Sequence, residues 1–115
     1  MSVLKQTERS TYLDVLAMPW EPTKFPGISW KILYQEENGS AFTALMKMEP
    51  GARLPKHEHT EVEQSYVIQG SLADDEGVCT GGNFVWRRPG SVHSAWSPDG
   101  AVILAIFQRP NKFLE

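Results

Sequence analysis

Apolar residues recur at every second position over several short stretches of this chain. Phe42, Met46 and Met48 share one parity, and the same spacing separates Phe84 from Trp86. Successive side chains of a strand project to opposite faces, so these stretches predict strands with one buried face. We expect the aromatic side chains of this pattern to belong to the core of the fold.

Turn-forming residues interrupt these stretches at short intervals. Asn38-Gly39 is the strongest hairpin signal, because both residues tolerate the positive φ of a type I′ turn. No segment between turns is long enough for a persuasive helix, so the chain predicts an all-β sandwich or barrel. Thr11 to Leu16 fits either a short helix or an edge strand, and we favour the strand. The predicted strands cover about residues 29–37, 40–48, 53–59, 62–73, 83–87, 91–97 and 101–108.

The length of 115 residues is close to the commonest domain size. A hydrophobic content of 41% and a charged content of 22% are ordinary for a globular protein. We therefore expect one domain over residues 1–115, with an N-terminal arm and loop over 1–27 and a barrel core over 28–110.

Charge and cysteine content limit the classes of partner and the location that we expect for this protein. A net charge of -3 with scattered basic residues gives no field for a phosphate backbone, so nucleic acid is not expected. No apolar run reaches the roughly 18 residues of a membrane span. The single cysteine, Cys79, cannot form an internal disulfide, and the first residues lack a signal-peptide pattern. A cytoplasmic protein without membrane or nucleic-acid partners is the expectation.

The three histidines and one glutamate form the clearest chemical pattern. His57 and His59 are two apart on a predicted strand, so both imidazoles project to one side. Glu63 starts the next predicted strand after a short turn, and its carboxylate can lie alongside them. His93 opens a strand that a closed barrel can place opposite. These four residues are the candidate ligands of one metal ion.

Neutral imidazoles and one carboxylate suit a borderline divalent ion, whereas calcium and magnesium prefer more oxygen ligands. The candidates are iron, zinc, nickel, manganese, cobalt and copper. Four protein ligands leave one or two positions open on a five- or six-coordinate ion, which permits catalysis.

Residues that share a strand face with a ligand are candidates for pocket lining. Arg53 either meets an anionic substrate or pairs with a surface carboxylate, and we favour the surface pair. The acidic run from Asp74 to Glu76 is expected to be a solvated turn. Trp96 has outward parity, which suggests a partner surface and a homodimer. The lining candidates are Arg53, Ser65, Val67, Trp86, Ala95 and Ser97.

Two spaced motifs resemble those of the cupin superfamily. The first is Gly51-x5-His57-x-His59-x3-Glu63-x6-Gly70, which fits at every spacing. The second comprises Gly82, Pro89, Gly90 and His93, with the proline directly before the glycine and Ser97 where the family often has asparagine. From about Trp20 to Phe113 the chain resembles the cupin-like domain of ChrR anti-sigma factors and its single-domain relatives.

This resemblance implies a cupin jelly-roll barrel and the four-residue metal site. Similar proteins include acetylacetone dioxygenase, an iron enzyme, and zinc-binding sensor domains. The leading hypothesis is a non-haem metal-dependent dioxygenase, with ferrous iron favoured, acting on a small diketone or hydroxyketone-like substrate. The alternative is a metal- or ligand-binding sensor module without catalysis.

Overall fold

The computed structural model describes residues 2–115, and Met1, part of the expected arm, lies outside them. Every regular element in that range is a β-strand, which confirms the all-β prediction. The seven predicted strands correspond to β4–β7 and β9–β11, with ends that agree to within two residues. The strands are β1 (Val3–Gln6), β2 (Thr11–Leu13), β3 (Glu21–Pro22), β4 (Ile28–Gln35), β5 (Phe42–Met48), β6 (Arg53–Glu58), β7 (Glu63–Ala73), β8 (Val78–Thr80), β9 (Phe84–Arg87), β10 (Val92–Trp96), β11 (Ala101–Phe107) and β12 (Lys112–Phe113).

The main sheet is antiparallel and curls around the core. Its strand order is β12-β6-β10-β7-β11-β5-β4-β3, with β8 and β9 also paired to β7. The fold has two halves, one with β3, β4, β5, β9 and β11 and the other with β6, β8, β10 and β12. Strand β7 belongs to both. Residues 63–70 pair with β11 and 63–66 with β9, whereas residues 71–73 pair with β8 and Ala73 with β10. The two halves therefore face each other across one interior.

Gly70 lies where β7 passes from one half of the fold to the other. The register with β11 shifts just before it, at a β-bulge, and its φ is 85°. A Cβ atom at this position would collide with the carbonyl oxygen of Gly100. Glycine is required here, because only it combines a left-handed backbone with so close an approach.

Inward-facing residues of both halves form one core. On β11, Ala101, Ile103, Ala105 and Phe107 are all buried, so small and large side chains alternate along the inner face. Small residues leave space inside a barrel, and the interior of this one holds cavities beside the histidines. Within residues 2–115 we find no helix long and apolar enough to cross a membrane.

The β4–β5 hairpin is confirmed, but its turn is not type I′. Gly39 has a positive φ of 75°, whereas no non-glycine residue described has one, so Asn38 does not. The Gly39 amide donates to the carbonyl of Glu36, and the Glu36 amide donates to Ala41. A four-residue loop closes the hairpin with one left-handed residue, so the mirror-image turn is unnecessary.

Two aromatic side chains predicted to lie inside are on the outer surface. Phe84 and Trp86 are each 51% exposed, and Trp86, a lining candidate, has the Arg88 guanidinium 5.0 Å from its ring. Strand β9 pairs them with Tyr66 and Gln64 on the outer face of β7. The parity of β9 is therefore opposite to that expected. Near the N-terminus, Thr11 to Leu13 form a strand, as favoured.

Candidate metal centre

Three imidazoles converge inside the barrel. His57 lies on β6 directly opposite His93 on β10, and His59 follows the end of β6. The ring centroids of each pair are 4.6 to 4.9 Å apart. Each ring offers one ligand nitrogen, and these nitrogens lie within 4.8 Å of one another. The predicted convergence of the two strands is therefore present in the fold.

Hydrogen bonds fix which nitrogen of His57 and His93 faces the cluster. The Nδ1 of His57 lies 2.7 Å from the carbonyl oxygen of Pro55, and the Nδ1 of His93 lies 2.8 Å from Oδ2 of Asp74. A carbonyl and a carboxylate can only accept, so both Nδ1 atoms carry the proton. Each Nε2 is left with a free lone pair, which is what a metal ion requires.

His59 differs in its surroundings. Its Nε2 is 2.9 Å from the Nε2 of His93, a separation that also suits two ligands of one ion. Its Nδ1 is buried and has no hydrogen-bond partner within residues 2–115, and Oε2 of Glu63 is 3.4 Å away. Glu63 thus faces the outer nitrogen of His59. It lies beside the cluster and outside the three converging donors, although the sequence predicted it as a fourth ligand.

Burial controls the charge of these groups. Desolvation lowers the pKa of His57, and it lowers the pKa of His59 to about 3. Both imidazoles are therefore neutral near pH 7 and ready to bind a cation. Desolvation also raises the pKa of Glu63 to about 7, although the Asn111 amide and the charge of Arg87 act in the opposite direction.

Asp74 and Arg87 belong to the site, although the sequence did not suggest them. Asp74 was expected in a solvated turn, but its side chain is only 1% exposed and contacts both His93 and Arg87. Burial disfavours the charge of Asp74, yet the hydrogen bonds from His93 and the backbone, with Arg87, outweigh burial and lower its pKa. As the first residue after β7, Asp74 also caps the turn that follows, and that local role gives no sign of its contact with His93.

Arg53 lies outside the pocket. Its guanidinium is 2.8 Å from Glu115 at the surface, the alternative favoured from the sequence. The register between β6 and β10 shifts between the His57 pair and the Leu54 pair, so β6 contains one extra residue. This bulge reverses the parity, and Leu54 takes the inward position that Arg53 was expected to hold.

A small cavity of about 30 Å³ lies on the inner side of the cluster, room for about one water-sized molecule. Ser65 and Ala95, both lining candidates, border it together with Glu63, Arg87 and His93. The Ser65 hydroxyl donates to Oε1 of Glu63 across 3.4 Å. Val67 and Ser97 are completely buried but do not line this cavity.

A second cavity of about 410 Å³ begins where the C-terminal segment crosses the barrel. Phe113 lies 5.3 Å from the His57 ring, and Asn111 influences both His59 and Glu63. This larger space, called the aromatic cavity below, is separated from the small one by shared wall residues. The aromatic cavity is lined by Pro22, Thr23, Lys24, Phe25, Ile28, Trp30, Phe42, Met46, Leu54, Phe107, Pro110, Asn111 and Phe113.

The donors present fit a divalent transition metal. Three imidazole nitrogens that lie within 4.8 Å of one another suit iron, zinc, nickel, manganese, cobalt or copper. The buried, unpartnered Nδ1 of His59 fits as well, because binding through Nε2 places the proton on Nδ1, toward the carboxylate of Glu63.

The known proteins that this chain resembles share one type of fold. The sequence profile of the family described as the ChrR Cupin-like domain matches residues 8–112. An acetylacetone dioxygenase from Acinetobacter johnsonii superposes with a TM-score of 0.85 at 18% identity, over 96% of this chain and 82% of that one. The KdgF structure from Halomonas sp. has a TM-score of 0.63 at 26% identity, over 81% and 88%.

A third similar structure is that of Rhodobacter sphaeroides SigE in complex with the anti-sigma ChrR. Its TM-score is 0.69 at 22% identity, over 81% of this chain and 50% of that one. A search of curated protein sequences finds no match. At these identities the superpositions establish the fold, and function has to be argued from the site.

Proposed function

The chain belongs to the ChrR cupin-like family and has the expected cupin jelly-roll fold, and from that premise we propose that it is a non-haem metal-dependent dioxygenase. The proposed substrate is a small molecule with a diketone or hydroxyketone group. Ferrous iron is the favoured metal, with zinc, nickel, manganese, cobalt or copper as alternatives. The observation that carries the proposal is the convergence of three histidines near an apolar cavity, whose wall residue Phe113 lies against the His57 ring.

His57, His59 and His93 would hold the ion through their Nε2 atoms, and Glu63 remains a proposed fourth ligand. In its described position the Glu63 carboxylate supports the outer nitrogen of His59, so direct ligation requires it to turn toward the cluster. A bound ferrous ion would supply binding of the two substrate oxygens and activation of dioxygen. The protein contributes orientation, a dry interior and a fixed set of donors.

The aromatic cavity supports an organic substrate with an apolar body. Its volume of about 410 Å³ falls in the usual range for small-molecule sites. Trp30 and Phe42 meet edge to face at 5.9 Å in its wall, and Phe25 lies 4.8 Å from Phe113. Asn111 and Lys24 are polar groups at its border that can meet substrate oxygens.

The proposal is tested by metal analysis and oxygen uptake. Protein is purified without chelators or a metal-binding tag, analysed for metals, and reconstituted anaerobically with ferrous iron. Substrate-dependent oxygen consumption on a panel of diketones and hydroxyketones is expected, with about one iron per chain. The His57→Ala variant, treated in the same way, should consume no oxygen above background. Tightly held zinc and no uptake on any panel member would contradict the dioxygenase.

A second candidate is a metal- or ligand-binding sensor without catalysis. Membership in the ChrR cupin-like family favours it, since a solved relative is an anti-sigma factor bound to SigE. In this case the ion stabilises the barrel and changes its contact with another protein. A sensor predicts a change in thermal midpoint or surface exposure on metal binding, without turnover of any panel member.

We also propose a homodimer. Tyr66, Phe84 and Trp86 form adjacent exposed aromatic positions on β7 and β9, and Ile106 continues this outer face on β11. Light scattering on eluted protein should give twice the chain mass, and Trp86→Ser should lower it. The control is Tyr34→Ser, which changes an exposed aromatic side chain at the far end of β4. A wild-type monomer at working concentration contradicts the dimer.

A further inference from the structure

The carboxylate of Asp74 is held by four polar contacts. Its Oδ1 accepts the backbone amides of Glu76 and Gly77 at 2.9 and 3.0 Å. Its Oδ2 accepts the Nδ1 proton of His93 at 2.8 Å and lies 2.6 Å from Nη1 of Arg87. The side chain is almost fully buried, so this carboxylate has one fixed orientation.

We propose that Asp74, held in place by Arg87, is the positioning residue of the histidine cluster, keeping the His93 proton on Nδ1 and the Nε2 lone pair directed at the metal. The inference rests on the metal-binding part of the proposed function and is independent of the reaction. Nothing in it requires substrate or oxygen.

The tautomer of His93 matters because a neutral imidazole has only one lone pair. With the proton on Nε2, that nitrogen faces His59 as a donor and cannot bind a cation. The carboxylate excludes this state, because an ionised oxygen can accept a hydrogen bond and cannot donate one. His57 uses the backbone carbonyl of Pro55 for the same purpose, which no side-chain substitution removes. His93 therefore depends on a side chain where His57 does not.

Arg87 explains how a carboxylate stays charged in this interior. A buried unpaired carboxylate is unstable in low dielectric, so Asp74 needs a cation beside it. Arg87 comes from β9 and Asp74 follows β7, while His93 lies on β10, so the contacts join three strands. Of the other acidic groups near Arg87, Glu76 is 3.9 Å away and largely exposed, and Glu63, its pairing partner on β7, feels the charge of Arg87. Arg87 is therefore committed mainly to Asp74.

The first experiment measures the tautomer directly. The full chain, freed of metal and carrying isotope-labelled histidine, is observed by NMR at about pH 8, where an ordinary imidazole is neutral. We expect wild-type His93 to carry its proton on Nδ1. In Asp74→Asn the carboxamide can donate to Nδ1, so a substantial share of His93 should move its proton to Nε2. The control Asp75→Asn removes the same charge from the neighbouring, exposed aspartate and should leave His93 unchanged.

The second experiment titrates the same proteins with cobalt alone. Loss of a carboxylate behind a ligating histidine typically weakens metal binding 10- to 100-fold, and we expect a loss of about this size for Asp74→Asn. Arg87→Gln should show a smaller loss in the same direction, with Arg88→Gln, on the same segment, as its control. Asp74 remains in Arg87→Gln. If Asp74→Asn fails to fold, the cobalt affinity of Arg87→Gln therefore still tests whether the Asp74–Arg87 pair positions His93.

Cobalt binding at wild-type affinity in the folded variants, with His93 still protonated on Nδ1, would overturn the inference. The outcome is distinguishable from failure of the dioxygenase proposal, because oxygen uptake is not measured. A protein that binds cobalt through a positioned His93 and consumes no oxygen supports the inference while contradicting the enzyme.

Discussion

The two cavities, which share Met46, Leu54 and Phe107 in their walls, differ in size and in how those walls are held. The small cavity, about 30 Å³, has many apolar wall residues, but one side of it carries Glu63, Arg87 and His93, and Asp74 holds Arg87 and His93 from behind. The aromatic cavity, about 410 Å³, is lined mainly by apolar rings and closed by the short strand β12, which pairs with β6 at two residues. Fixed geometry suits binding of an ion, whereas a weakly held wall suits organic molecules of several sizes. Substitutions on the two sides should therefore separate metal binding from ligand binding.

The largest effect is expected from removal of a histidine of the cluster, on the wall of the small cavity. His57→Ala should abolish stoichiometric metal binding and the stabilisation that metal provides. An ion at a thousandfold its dissociation constant adds about 4.1 kcal/mol, so the loaded wild type should melt roughly 15 °C above the variant. Metal analysis and calorimetry measure the two quantities. A variant that still retains one ion per chain would contradict the assignment of His57.

The second largest effect is expected from the charge of Glu63, which borders the small cavity. Its pKa is 4.5 in the unfolded chain and about 7 in the folded one. The stability it contributes is complete below about pH 4.5 and is lost as the pH rises through 7. Glu63→Gln removes this dependence, so the metal-free variant should exceed wild type by on the order of 3 kcal/mol at about pH 8.

Denaturant unfolding at several pH values checks this difference. His57 and His59 act in the opposite sense, because their lowered pKa values give stability above pH 6.5 that is lost on acidification. They are present in both proteins, so the comparison isolates Glu63. The exposed Glu49 provides the control substitution, Glu49→Gln. A parallel pH dependence for Glu63→Gln and wild type would be inconsistent with a buried, protonated Glu63.

A smaller effect is expected on the aromatic side. Phe113→Ala removes a ring that packs on Phe25 and His57. Binding of an apolar diketone, measured by calorimetry, should weaken about tenfold, because much of the apolar contact is lost. Cobalt affinity should change by less than about twofold. Leu114→Ala, at the exposed neighbouring position, is the control. Equal losses of cobalt and diketone would show that the two cavities are not independent.

The smallest effect is expected from the ion pair that fastens the C-terminal segment. Arg53 and Glu115 are both about half exposed, and such pairs contribute little stability. Arg53→Gln should leave the thermal midpoint and metal content unchanged. Amide exchange at Leu114, which donates to the Lys56 carbonyl, should become a few-fold faster. Unchanged exchange would show that other contacts hold this wall of the aromatic cavity.

The sequence predicted most of the fold and the centre of the site, because both follow from short-range patterns. Alternation located seven strands, and the His57–His59 spacing placed two imidazoles on one face. The residues that were wrongly predicted to line the pocket depend on how distant strands pair. Arg53 does not line the pocket because a bulge in β6 reverses its parity. Trp86 does not line it because β9 pairs with the outer face of β7.

Asp74 and Arg87 could not be recognised from their neighbours in the chain. An acidic run between turn residues is ordinarily solvated, and nothing local indicates that a strand 19 residues later brings His93 to Asp74. The aromatic cavity was missed for a similar reason. Its walls combine strand residues with the segments before β4 and after β11, which meet only in the folded chain.

Strand β7 begins at Glu63 and ends next to Asp74, and these two carboxylates lie behind His59 and His93. One continuous segment therefore carries the outer supports of two ligands, and both are lost in a single event if it detaches along its whole length from β11 and β8. Release of the ion should accordingly be a slow, concerted process whose rate follows the opening of this strand. Exchange of its amides would then report the residence time of the metal.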